Sequence, residues 1–127
     1  MRRLSNVAAA IGVVVSLLAA CSSASAAFPT GKWTATNEVD GSVGKLEYRS
    51  DGTWTFTGGG TLVSHGTYKT DASTITITTD LLCKTKNAEQ ATYAWTHADG
   101  RLTLTKRADA CIDRVAVLDG RVWEPAS

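Results

Sequence analysis

Proline is almost missing from this chain, at two residues, and methionine occurs once. With 11 glycines in no repeating pattern, collagen-like structure is excluded. Three cysteines are too few for a disulfide-dense mini-protein, and no C-x-x-C pair is present. Neither sign of charge dominates: 13 basic residues face 12 acidic ones, for a formal net charge of +1. That balance excludes a charge-driven disordered chain and gives no basic field for nucleic acid. Two histidines, with no triad-like or zinc-like spacing around them, offer little to catalysis and imply no metal or other cofactor. The longest apolar stretch, Val7 to Ala20, is broken by Gly12 and Ser16 and falls short of the roughly 20 residues a spanning helix needs.

What is present begins with an address. Arg2 and Arg3 precede that apolar stretch, as in the n- and h-regions of a secretory signal. Leu18-Ala19-Ala20-Cys21 resembles the bacterial lipobox, which implies lipidation at Cys21 and a membrane contact made through that lipid alone. Residues 1–20 are then the signal peptide and 21–30 a small-residue tether. The competing site is Ala24-Ser25-Ala26, an A-x-A sequence at which ordinary cleavage after Ala26 would release a secreted protein. Loss of the first 20 residues removes two arginines and leaves the mature side chains at a net charge of −1. Cysteine parity agrees with export, because Cys83 and Cys111 remain as one pair for an oxidising compartment.

From residue 31 to 125 the pattern is that of short strands. Trp54 and Phe56 alternate with Thr53, Thr55 and Thr57, and Ile75 and Ile77 alternate with Thr74, Thr76 and Thr78. Tyr93 and Trp95, then Leu102 and Leu104, repeat the period of two. One face is apolar and the other largely threonine, as in an antiparallel sheet with one wet side. Asp40-Gly41, Asp51-Gly52 and Asp99-Gly100 read as hairpin turns, and Gly58-Gly59-Gly60 as a flexible connection. Strands are expected near 32–38, 43–50, 53–58, 64–70, 74–79, 91–97, 101–106 and 114–123, with at most one helical turn at 84–91. The expected fold is all-β: an eight-stranded antiparallel up-and-down barrel, with a sandwich as the alternative. In such a meander the connections carrying Cys83 and Cys111 fall at the same end, where they can bond.

Gly31-Lys32-Trp33 at the start of the first strand resembles the G-x-W motif of lipocalins and the wider calycin group. The C-terminal half, from Tyr93-Ala94-Trp95 through Asp109-Ala110-Cys111 and Arg114 to Trp123, is similar to small secreted bacterial lipocalin-like proteins. The resemblance implies that Trp33 closes the barrel base and that a cation from the last strand, here Arg121, packs across it. The T-D-Y-type second block of lipocalins is absent. Avidin-like barrels and small bacterial metalloprotease inhibitors share G-x-W, the latter with this size and a single disulfide.

Two readings stay open for the interior. Arg114, placed at the start of the last strand, either holds the carboxylate of an apolar ligand lying against Tyr48, Trp54, Tyr68 and Trp95, or pins its own loop through Asp109 or Asp113. Likewise, those rings describe an aromatic-lined pocket as well as a packed aromatic core. Three functions follow: an exported, membrane-anchored barrel binding a small apolar ligand, a filled barrel acting as an envelope interaction protein or protease inhibitor, and a calycin-type cyclase. No residue selects a catalytic role, and no protein partner is identified. A cavity of roughly 300 Å³ or more would favour the ligand.

Overall fold

The computed structural model describes residues 27–79, 83 and 88–126. The signal segment, Cys21 and most of the tether lie outside the described residues. Eight strands are formed: β1 (Gly31–Thr36), β2 (Val43–Tyr48), β3 (Thr53–Gly58), β4 (Thr61–Thr70), β5 (Thr74–Thr79), β6 (Gln90–Ala98), β7 (Arg101–Ala108) and β8 (Val122–Pro125). One helix, α1 (Ile112–Leu118), lies between the last two. Each strand pairs antiparallel with the next, and β8 returns to β1 through Trp33↔Pro125 and Thr34↔Glu124. The molecule is a closed eight-stranded up-and-down barrel.

The alternation explains the closure. Leu46, Tyr48, Trp54, Ile75, Ile77, Tyr93, Trp95, Leu102, Leu104 and Trp123 are all buried on the inner face. Threonines occupy the outer face of β3 and β5, so each strand can serve one apolar layer while staying wet outside. Asp51 and Asp71 set the turns that follow them. Their carboxylates accept from the N–H groups of Thr53 (2.9 Å), Ser73 (2.9 Å) and Thr74 (2.7 Å).

Two expectations need correction. The triple glycine is a tight hairpin: Gly59 and Gly60, at φ +58° and +83°, turn β3 directly into β4, which begins at Thr61 rather than 64. A register shift at Phe56/Thr57 absorbs the odd residue. The larger correction concerns the predicted strand 114–123. Its first half is α1, and β8 is the short piece that follows. Arg114 and Leu118 share a face at both helical and strand spacing, so their burial does not discriminate. Ala116 does, because a strand would turn it inward, whereas it is exposed.

Gly66 marks a close approach of backbones. A Cβ added there would lie 1.8 Å from the Thr78 carbonyl oxygen and 3.1 Å from Trp54 Nε1. The missing side chain leaves room for that carbonyl to accept the Trp54 indole N–H at 3.1 Å.

Candidate functional site

The barrel has two ends, and each has its own closure. At the short-hairpin end, which we call the base, Phe28 inserts from the chain ahead of β1. Its ring centre lies 5.1 Å from Tyr48, 5.5 Å from Trp95 and 5.9 Å from Tyr68. Trp33 is buried beside it, donating from Nε1 to the Pro29 carbonyl at 3.2 Å and meeting the His97 ring edge to face at 5.7 Å. Trp95 ties its indole to the Asp71 carbonyl at 3.2 Å. The sequence reading missed Phe28. The one hint was a large apolar residue standing directly after an Ala/Ser tether.

At the opposite end α1 lies across the opening. It follows Cys111 directly, and Cys111 is bonded to Cys83 with the two Cα atoms 5.8 Å apart. The helix is held by Arg114, which points into the barrel. Nε and Nη2 meet the two carboxylate oxygens of Asp109, each at 2.8 Å. Nη1 donates to Thr79 Oγ1 at 2.7 Å and to the Glu89 carbonyl at 3.4 Å, and Nη2 to the Ala88 carbonyl at 2.7 Å. All five N–H groups of the guanidinium are thereby engaged. Asp109 also accepts from the Cys111 N–H at 2.8 Å and from the Tyr93 hydroxyl. Burial alone would raise the Asp109 carboxyl, but bonds from Arg114, Tyr93 and the Cys111 N–H outweigh it and hold the group below its ordinary value. Tyr93 is raised, first by burial and then by donating to Asp109.

Beneath α1 a crevice of about 20 Å³ remains, lined by Leu46, Trp54, Phe56, Ser64, Thr79, Cys83, Asp113, Arg114, Val117 and Leu118. Of the five residues expected to contact a ligand, Arg114 and Trp54 line this space. Tyr48, Tyr68 and Trp95 instead cluster with Phe28 at the base. The crevice that Arg114 lines does not extend to Tyr48, Tyr68 or Trp95. Arg114 itself bonds Asp109, not Asp113, among the two loop carboxylates considered for it. Nor does the structure bring Arg121 to Trp33. Arg121 shares a surface depression with Thr36, Asn37, Glu38 and Val39, at the other end of β1, while Trp33 stands opposite Pro125. Thr79 and Tyr93, whose side chains join the Arg114–Asp109 network, reach it from β5 and β6, and no local sequence pattern connects them to it.

Comparison with known protein families, curated proteins and solved structures gives no match. Functional argument therefore rests on the barrel and its two closures. Among the described residues no group of His, Cys, Asp and Glu is arranged to hold a metal ion.

Proposed function

We propose that this is an exported, lipocalin-like barrel, anchored through a lipidated Cys21, that works as an interaction module displayed by the cell envelope. The supporting observation is the interior. An eight-stranded barrel is compatible with holding a small ligand, but the space left under α1, about 20 Å³, is far below the roughly 300 Å³ of a typical small-molecule pocket. Aromatic and aliphatic side chains fill the rest, and Arg114 has no N–H group to spare for a carboxylate.

The lipobox resemblance and the pairing of Cys83 with Cys111, which leaves Cys21 as the third cysteine, support the anchored placement. The chain reaches the barrel at its base, through Phe28. An anchored molecule would thus present α1, the disulfide and the exposed Val39 and Ile112 away from the membrane.

Fractionation of cells producing wild type and Cys21→Ser tests the anchor: the wild type should sediment with membranes and the variant should not. Titration of fatty acids against tryptophan fluorescence tests the filled interior. Saturable quenching by a long-chain acid would overturn that part of the reading.

A further inference from the structure

Ser64 stands on the inner face of β4, opposite Phe56, and is 3% exposed. Its hydroxyl has no hydrogen-bond partner among the described residues. A buried hydroxyl left without a partner forfeits its hydration for nothing, so folded proteins satisfy such groups with protein atoms or with ordered water. Ser64 lines the crevice under α1 together with Thr79. Thr79 Oγ1 accepts from Arg114 Nη1 at 2.7 Å, which leaves its own O–H to donate. A hydroxyl that accepts from a guanidinium is polarised and donates more strongly. The ladder sets the distance between the two hydroxyls. Gly66 pairs with Thr79 across β4 and β5, and Ser64 lies two residues before Gly66 on the same face. Ser64 and Thr79 are therefore diagonal neighbours, with Cα atoms roughly 7–8 Å apart. Their hydroxyls do not bond one another directly, and one water spans about 5.5 Å between two oxygens with bonds of about 2.7–2.8 Å.

We propose that this crevice is the site of an ordered internal water, which accepts from the Thr79 hydroxyl and donates to Ser64 Oγ. The space suits that occupant and nothing larger: 20 Å³ is the room of one or two waters at about 10–15 Å³ each. The chemistry suits it as well. A wholly apolar hollow of this size stays dry, whereas two hydroxyls give a water the two partners it needs. The consequence is mechanical. The direct bonds of Arg114 reach Asp109, Thr79, Ala88 and Glu89. The water carries the same network on to β4, so that the strand facing the underside of α1 also helps to seat it. Ser64 is then a positioning residue for the plug helix, acting through the water and Thr79. This site goes beyond the envelope-display reading and holds whether or not the chain is anchored.

The test uses the mature full-length protein. Oxygen-17 relaxation dispersion counts waters held longer than the tumbling time and is blind to hydroxyl protons, which would confuse a proton experiment. Ser64→Ala should lower that count by one, because the water keeps a single partner. Ser64→Val should do the same by placing methyl groups where the water sits, and it provides the reading if Ser64→Ala folds poorly. Ser42→Ala, in an exposed turn, should leave the count unchanged. A crystal structure of the wild type should show one oxygen about 2.7–3.0 Å from both hydroxyls. The Arg114 Nη1 resonance should also shift in Ser64→Ala, since Thr79 then loses its acceptor. An unchanged count in both Ser64 variants, a dry crevice, or a Ser64 hydroxyl bonded to a protein acceptor would each overturn the proposal. An Arg114 resonance indifferent to Ser64→Ala would overturn the link to the plug.

Discussion

Arg114 and Asp109 meet through two bonds of 2.8 Å, with their side chains only 4% and 0% exposed. This pair joins the helix that covers one end of the barrel to the loop leading into it. Thr79 and the Ala88 and Glu89 carbonyls extend the link to β5 and to the residues just before β6. Its role is to seat α1, and that sets the first prediction.

Arg114→Met keeps much of the stem but strands a buried carboxylate. The expected loss is about 3–5 kcal/mol, read from urea or thermal unfolding. A loss under ~1 kcal/mol, as at an ordinary surface site, would show that α1 does not depend on the pair. Adding Asp109→Leu should restore part of the stability, because a buried ion pair is often replaceable by apolar packing even when half of it is not.

Acid should unseat the helix by the same route. Asp109 is held below its ordinary value in the fold, so its contribution is complete at neutral pH, where folded and unfolded carboxyls are both ionised. As pH falls past the ordinary value near 4, the unfolded chain protonates first. The contribution drains away until the folded carboxyl is protonated as well. Asp40, Asp51 and Asp71 are lowered by their turn hydrogen bonds and share the trend. The difference between wild type and Asp109→Asn isolates the one group: unfolding midpoints from pH 7 to 2.5 should diverge at neutral pH and converge in acid.

Phe28→Ala should cost about 3–5 kcal/mol, like other buried aromatics, and Trp33→Ala a similar amount. A much smaller loss for Phe28 would mean that the segment ahead of β1 only rests on the barrel.

Gly66→Ala is expected to cost at least about 1–3 kcal/mol, because the new methyl needs the space held by the Thr78 carbonyl. The accompanying sign is specific: the Trp54 indole N–H should lose its bond to that carbonyl, visible as faster hydrogen exchange and a shifted resonance.

The barrel was legible in the sequence because its evidence is local. Thr74-Ile75-Thr76-Ile77-Thr78 carries a strand in five residues, and Asp99-Gly100, at φ +54° and +74°, adopts the turn such a pair suggests. The meeting of Cys83 and Cys111 was also legible, since alternating connections fix which loops share an end. The plug helix was not. Val115 and Val117 favour a strand, and the seven residues of α1 are stabilised by the Arg114 bonds and the disulfide beside them, which are tertiary facts. The misplacement of Arg121 follows from the same error. Reading 114–123 as one strand carries Arg121 toward the base, whereas the helix delays β8 until Val122.

The closure of the sheet links Trp33 with Pro125, nearly the full length of the barrel sequence apart. Without β8, β1 and β7 are both open edges, and the first seven strands leave the circle unclosed. The other seven pairings join consecutive strands, so closing the circle is the one pairing that brings distant parts of the sequence together, and loop closure makes it the slow one.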